Sequence, residues 1–149
     1  MVYHLVKEQT VRRPLKEVFA FFERPENLAK ITPPELGFEI VTPSPIAMNV
    51  GTLIDYNVRA IGIKLHWKTL ITAYDPPYSF VDEQLKGPYI YWHHTHGFEE
   101  IPGGTLLRDH VRYIVPFGVF GKAAHAFKIK HDLERIFEYR SNYIANHFS

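Results

Sequence analysis

The sequence predicts an α+β fold in which a curved antiparallel sheet of six to seven strands wraps around one long C-terminal helix. Residues 52–115 alternate between apolar and polar side chains with the period of a β-strand. Short turns rich in glycine and proline separate these runs, which favours antiparallel neighbours. Residues 120–148 lack proline and carry apolar side chains at steps of three and four, which is typical of a helix.

The elements before this sheet are indicated by alternation and by proline. Residues 2–12 alternate loosely and predict the first strand. Pro14 predicts the start of a short helix, because proline is favoured in a first helical turn. Pro25 opens a second short helix over residues 26–31, and a short strand follows at 38–41.

Four turn signals divide the alternating region into five strands. They are Gly62, the Asp75–Pro77 segment, the Gly87–Pro88 pair and the Pro102–Gly104 segment. A helix of about 25 residues spans roughly 37 Å, enough to cover strands of about 25–30 Å. Small side chains at helix positions that we expect to face the sheet predict a cavity beneath it. These positions are Ala123, Ala126 and Ala145.

Composition narrows the class of protein. The 149 residues predict a single domain over 1–149, and the 46% of hydrophobic residues is typical of a globular chain. The 17 basic and 16 acidic residues argue against a nucleic-acid partner. The chain has no cysteine, and no apolar run reaches the length of an integral membrane segment. We therefore expect a cytoplasmic protein.

The apolar face of the predicted sheet carries five polar side chains. They are Asp82, Gln84, His94, His96 and Asp109. A folded chain keeps such groups inside only if they are paired, hydrated or turned toward a ligand. Hairpin geometry places Asp82 opposite His94 and Asp109 opposite His96, at about 4.5–5.5 Å between Cβ atoms. The sequence therefore predicts two carboxylate–imidazole pairs, side by side.

Two interpretations of these pairs come first. They could only orient the strands and satisfy each other, or they could hold the polar atoms of a ligand in an apolar pocket. For the second interpretation, the polar groups combine with aromatic walls. The predicted ligand-binding residues are Tyr56, Trp67, Asp82, Gln84, Trp92, His94, His96, Phe98, Asp109 and Tyr113.

Catalysis and metal binding are further interpretations. Cyclisation or dehydration of a polyketide needs a base beside a carbonyl, and His94, His96 and Asp109 are the candidate catalytic residues. His94 and His96 also form an H-x-H pair that, with Asp82 or Asp109, could chelate zinc. Neighbouring carboxylates favour plain hydrogen bonding instead, so we predict neither a metal nor another cofactor.

A protein-interaction module is the alternative of a different class. The long helix, Phe117, Phe120 and the loop 60–63 could contact a protein, and Val119 with Phe120 could close a lid or form a homodimer. A module of that kind has no need for polar groups beneath an apolar sheet face. Ligand binding is therefore the preferred interpretation.

Several short stretches along the chain carry a resemblance to a known superfamily. They are Val11-Arg-Arg-Pro-Leu-Lys-Glu-Val-Phe, Pro25-Glu-Asn-Leu, Asp75-Pro-Pro, Phe80-Val-Asp-Glu-Gln, Gly87-Pro-Tyr, Trp92-His-His-Thr-His-Gly-Phe, Gly103-Gly-Thr and Asp109-His-Val-Arg-Tyr. With them the chain resembles the helix-grip superfamily of START domains and pollen allergens, which includes polyketide cyclase/dehydrases and coenzyme Q-binding proteins. The resemblance covers essentially the whole chain, and the middle is most similar to an uncharacterised bacterial subfamily of ligand-binding proteins. It implies a helix-grip fold and a hydrophobic ligand that is lipid-, quinone- or polyketide-like.

Overall fold

Seven strands form one antiparallel sheet in the computed structural model, which describes residues 1–60 and 63–149. Their order across the sheet is β1-β7-β6-β5-β4-β3-β2. The predicted sheet is confirmed, while the break predicted at Gly62 and part of the loop 60–63 lie outside the described residues. The strands are β1 (Tyr3–Val11), β2 (Glu39–Ile40), β3 (Leu53–Ala60), β4 (Ile63–Asp75), β5 (Ser79–Lys86), β6 (Tyr91–Ile101) and β7 (Gly104–Ile114).

Short helical segments connect β1 to β2. Helix α1 (Leu15–Phe22) and a 3₁₀ helix (Pro25–Ala29) are the two short helices that the prolines predicted. A further 3₁₀ turn (Pro34–Leu36) was not predicted. The prolines that stop the preceding segment also suit the start of the next one, because proline fixes a helical φ and lacks the N–H that a first turn leaves unpaired.

The C-terminal helix runs without a break from Gly118 to His147 but changes its winding once. It consists of α2 (Gly118–Ala124), a π-helical turn (His125–Ile129) and α3 (Lys130–His147). None of the described helices has both the length and the apolar character needed to cross a bilayer.

The side of this helix that faces the sheet is bulky, not small. The buried positions are Gly121, His125, Leu133, Phe137, Arg140 and Ile144. Ala123, Ala126 and Ala145 are exposed, so the prediction that they face the sheet was wrong. The wider π turn advances the helix phase by one residue, so a count at 3.6 residues per turn across it misplaces Ala123 and Ala126. Ala145 lies beyond that turn, directly after the buried Ile144 and one position off the covered face.

Two apolar clusters lie between the sheet and the helices, one toward each end. On the inner face of β6, Trp92 belongs to one cluster and Phe98 to the other. His94 and His96 lie between them and are both buried. The apolar core is therefore interrupted at its centre by polar groups, as the alternation along β6 predicted.

Candidate ligand-binding cavity and its polar cluster

A cavity lies between the inner face of the sheet and α3. The centre of a water-sized sphere can reach about 260 Å³ of it. Its walls come from β3 to β6, from α3 and from the segment between α1 and β2, and they are mostly apolar. Such a concave, largely apolar space with few polar groups is the usual form of a small-molecule site.

Six of the predicted ligand-binding residues line this cavity. They are Tyr56, Trp67, Asp82, Trp92, His94 and His96. The chain has only two tryptophans, and both are in the wall. Trp67 and Trp92 meet edge to face at 5.2 Å between ring centroids, and Tyr56 stacks on Trp67 at 5.7 Å. One side of the cavity is therefore a continuous aromatic surface.

Four predicted residues lie elsewhere. The Gln84 amide bonds to the backbone of Tyr89, with Nε2 donating at 2.7 Å and Oε1 accepting at 3.1 Å, so it holds the turn between β5 and β6. Phe98 packs edge to face against Phe19 in the apolar core. The Tyr113 hydroxyl lies 2.7 Å from Nε2 of His125, near the start of the long helix. Asp109 stands behind the wall, next to His94.

The predicted strand register is confirmed at the polar side chains. Asp82 on β5 faces His94 on β6, and His96 faces Asp109 on β7. The hydrogen bonds, however, run diagonally. His94 Nε2 lies 2.7 Å from Asp109 Oδ1, and His96 Nε2 lies 2.5 Å from Asp82 Oδ2.

The predicted pairs, Asp82 with His94 and Asp109 with His96, are therefore corrected. The directly opposed groups are farther apart, at 3.7 Å for Asp82 and His94 and 3.6 Å for Asp109 and His96. Nε2 is the ring nitrogen farther from Cβ, so it extends past the opposite carboxylate to the diagonal one. The two imidazoles stack at 3.7 Å between centroids, which lets both reach diagonally without a clash.

Arg140 on α3 completes this group, although it was not among the predicted site residues. Its Nη2 lies 3.1 Å from Asp109 Oδ1 and 3.5 Å from His96 Nδ1. The guanidinium also lies over the rings of Phe22 and Phe137, at 5.3 and 5.5 Å. We call Asp82, His94, His96, Asp109 and Arg140 the Asp–His–Arg cluster. Arg140 follows Phe137 by three residues and precedes Ile144 by four, and a charge at this apolar spacing was the available signal.

Arg140 determines the tautomer of His96. A guanidinium only donates hydrogen bonds, so the Nδ1 that it faces must be the acceptor. The proton of neutral His96 then lies on Nε2, which donates to Asp82. His96 thereby connects a carboxylate on the sheet to a cation on the helix.

Charges within the cluster oppose the effect of burial on both carboxyl groups. Burial by itself raises the pKa of Asp109, but Arg140 and His94 outweigh it, and the net pKa is strongly lowered. Burial likewise raises the pKa of Asp82, yet the neighbouring His94 and His96 bring the net pKa below its ordinary value. Both groups are therefore carboxylates at neutral pH.

Burial has the opposite consequence for His96. It disfavours the imidazolium form, and the nearby His94 and Arg140 add repulsion that the attraction of Asp82 does not offset. The pKa of His96 is lowered to about 4. At neutral pH His96 is thus a neutral ring that accepts from Arg140 and donates to Asp82.

The cluster is poorly suited to a metal ion, although Asp82, His94 and His96 bring one potential ligand atom each within 4.8 Å of the others. Because Arg140 faces Nδ1 of His96, the proton of this ring lies on Nε2, the nitrogen turned toward Asp82. A protonated nitrogen has no lone pair for a metal ion. Nε2 of His94 is likewise engaged, in a hydrogen bond with Asp109. The guanidinium already supplies positive charge, so a second cation would meet repulsion.

Some polar atoms in the wall residues have no partner among the described residues. Trp67 Nε1 and Arg140 Nε are buried and unpaired there. The Tyr56 hydroxyl has only Thr69, at 3.5 Å. Burial raises the pKa of Tyr56, so its phenol stays protonated and can donate. The wall residues thus carry three donors with little to accept from them, of which those of Trp67 and Arg140 are fully buried.

Comparison with solved structures identifies the architecture. A protein of Thermus thermophilus, TTHA0849, has a TM-score of 0.74 at 16% identity, covering 99% of this chain and 100% of that one. The major latex-like protein 151 of Panax ginseng has a TM-score of 0.71 at 14% identity, covering 99% and 97%. Ara h 8.0201 has a TM-score of 0.61 at 17% identity, covering 97% and 98%.

The chain has the helix-grip fold. At these identities the likeness shows the fold alone, since one fold hosts many functions. The sequence matches no protein-family model and no curated protein sequence. In this helix-grip chain the cavity occupies the space between the gripped helix and the sheet, and the Asp–His–Arg cluster bridges the two.

Replacing Arg140 with methionine should destabilise the protein strongly. The substitution keeps a long side chain but leaves the Asp109 carboxylate buried without its cation. We expect a loss of about 3–5 kcal/mol in the free energy of unfolding. The matched control is Arg135→Met on the same helix, where an exposed arginine pairs with Glu35 at 3.4 Å and should cost less than about 1 kcal/mol. Urea denaturation at pH 7 measures both, and equal losses would refute a bridging role for Arg140.

Acidification should destabilise the fold before the carboxylates titrate. Unfolded His96 takes up a proton near 6.5, whereas folded His96 does so only near 4. Between these pH values the unfolded state binds more protons, so the free energy of unfolding falls as pH falls, by about 3 kcal/mol in total. Below this window the lowered pKa values of Asp82 and Asp109 remove further stability.

The variant His96→Gln isolates this effect, because glutamine keeps a donor for Asp82 but cannot titrate. Its free energy of unfolding should vary less between pH 6.5 and 4 than that of the parent protein. His131→Gln, at an exposed position on α3, should leave the parent curve unchanged. Denaturant titrations at a series of pH values provide the test. A parent-like slope in His96→Gln would show that another group controls the transition.

Proposed function

We propose that the protein binds a flat hydrophobic small molecule in the cavity, with the Asp–His–Arg cluster setting its orientation. The observation that carries this proposal is the combination of aromatic walls with a charged cluster on one side of the same space. Burying charged groups in a core costs free energy that an apolar core would not. A ligand that needs both environments gives a reason for their combination.

The Tyr56 hydroxyl in the wall favours a ligand with an acceptor oxygen. Its hydrogen has no strong acceptor among the described residues, since its one partner, Thr69, donates to it at 3.5 Å. A carbonyl or ether oxygen on an aromatic or polyketide-like skeleton would accept from it, as would a quinone. An oxygenated lipid has the same chemistry on a flexible skeleton, and it pairs less well with the stacked rings.

Binding can be tested with the two tryptophans as reporters. A quinone such as 2-methyl-1,4-naphthoquinone should quench their fluorescence saturably, because both line the cavity. Val58→Phe places a ring in the cavity wall and should weaken binding at least about ten-fold, since extra volume displaces ligand. Native mass spectrometry before and after organic extraction should show a co-purifying apolar compound in the parent protein.

The matched control is Val6→Phe, the same substitution on an exposed strand position. It should leave quenching by the quinone unchanged. If Val58→Phe and Val6→Phe bind the probe equally, or if quenching never saturates, the cavity is not the binding site. Thermal unfolding of both variants provides the check that each is folded.

Acid–base catalysis of the cyclase or dehydratase type is a second candidate function. One observation favours it: His94 lines the cavity while its Nε2 lies 2.7 Å from Asp109 behind it. A carboxylate in that place fixes the tautomer of the ring. Nδ1 is then the nitrogen that would take a proton from a carbon next to a carbonyl.

A catalytic His94 makes a specific prediction. A linear polyketone analogue incubated with the protein should lose water, and the rate should have a bell-shaped dependence on pH. His94→Gln should lower that rate by a factor of about 100 or more, whereas His93→Gln, on the opposite face of the same strand, should not change it. Mass spectrometry of the products measures this. Unchanged analogue, or full activity in His94→Gln, would leave binding as the function.

A further inference from the structure

Five large apolar side chains are strongly exposed near one end of the sheet. We call them the apolar rim: Ile63, Ile90, Phe117, Val119 and Phe120, with exposed fractions between 60% and 81%. Phe127, farther along on the π turn, is 85% exposed. Scattered apolar side chains are ordinary on a protein surface, but a contiguous group marks an interaction site.

The strand register brings the rim residues to the same end. Ile63 begins β4 and pairs with the last residue of β3. Tyr91, at the start of β6, pairs with Ile114 at the end of β7, and the Ile90 N–H donates to the Ile114 carbonyl at 3.0 Å. Phe117, Val119 and Phe120 follow within six residues. In an antiparallel sheet, these three chain segments therefore all turn at the same end of the strands.

This end is also the basic end of the molecule. Residues 58–74, 85–98 and 110–131 contain no aspartate or glutamate, although the whole chain has 16 acidic and 17 basic residues. Exposed basic side chains accompany the rim there: Arg59, Lys64, Lys86, Lys122 and Lys130. Two acids on the adjoining surface are engaged, Asp132 with Lys128 at 2.8 Å and Glu35 with Arg135 at 3.4 Å, while Glu134 lines a small cavity together with Lys130.

Phe117 has an unusual backbone for an aromatic residue. Its φ is 70°, in the left-handed region that glycine and asparagine tolerate best, and its side chain is 80% exposed. That conformation costs free energy in a bulky residue. Among the described residues no packing compensates for it, because the ring faces outward. A contact between this ring and a partner outside the chain would compensate for the cost of the conformation.

We propose that the apolar rim and its basic surround dock on the surface of an anionic lipid bilayer. Exposed aromatic and aliphatic side chains enter the headgroup boundary, and lysines attract anionic lipids. A second copy of the chain fits less well. A twofold contact brings each patch onto itself, so the same lysines would meet with no carboxylates among them.

The cavity reaches the same end of the sheet. Arg59, Pro88 and Tyr89 line it. Arg59 pairs with Lys64, which follows the rim residue Ile63, and Pro88 and Tyr89 directly precede Ile90. If the proposed function is right, a docked protein exchanges its apolar ligand with the bilayer without passing it through water. The docking itself does not depend on a ligand, and the two can fail separately.

Vesicle flotation tests the docking directly. The 149-residue chain should bind vesicles of phosphatidylcholine with phosphatidylserine, bind less as salt is raised, and bind little to phosphatidylcholine alone. Lys122→Glu should weaken binding at least about five-fold. Its control is Lys16→Glu, which should bind as the parent does. Lys16 is an exposed lysine on α1, and α1 follows the end of β1 that lies opposite the rim.

The apolar contribution has its own matched pair. The double variant Phe117→Ser/Phe120→Ser should lower vesicle binding about ten-fold or more. Val41→Ser/Val50→Ser removes two exposed apolar side chains near the opposite end of β3 and should have no effect. All four positions are exposed, so none of these variants should change the thermal midpoint greatly.

Three results would overturn the proposal. They are absence of binding to the anionic vesicles, equal loss in the rim variants and their controls, and a dimer in sedimentation that Phe117→Ser/Phe120→Ser abolishes. The last result would assign the rim to a second copy of the chain. Val58→Phe should still bind vesicles, so failure of ligand binding and failure of docking are told apart.

Discussion

Two carboxylates buried between a sheet and a helix have to be compensated, and this requirement links the two halves of the fold. Asp82 and Asp109 come from different strands, and the cation that faces Asp109 comes from the helix. A buried charge without a partner costs several kcal/mol, so the position of α3 on the sheet is constrained electrostatically as well as by packing. The imidazoles of His94 and His96 distribute this interaction across three strands.

The cavity follows from the same arrangement. A core filled by the sheet and helix alone would bring Trp92 and Phe98 into one apolar cluster, but the polar side chains between them keep two clusters separate. Space remains where the aromatic rings meet the charged groups. Apolar side chains packed against the charged groups would leave those groups unpaired, and polar side chains packed against the rings would lack partners, so either filling would cost free energy. A molecule that fits this cavity therefore needs an apolar surface toward the aromatic rings and hydrogen-bonding groups toward the charged side chains.

The fold was predictable from local patterns, whereas the details of the site were only partly so. Alternation along β6 was enough to place His94 and His96 inside, and turn chemistry was enough for the register that sets Asp82 against His94. The hydrogen bonds nevertheless run along the diagonals, because register constrains Cβ atoms while bonding depends on where ring nitrogens end. Gln84 was placed on the right face of its strand, yet it bonds to a turn that the pattern could not position.

The sequence by itself determined the elements, their order and the inner face of the sheet, since each depends on residues close together in the chain. Only the tertiary structure decided that Arg140 completes the cluster and that Ala123, Ala126 and Ala145 face outward. It also decided that exposed apolar side chains from three separate turns share one basic end. These features depend on contacts between distant segments and on a change of helical winding. Neither leaves a periodic trace in the sequence.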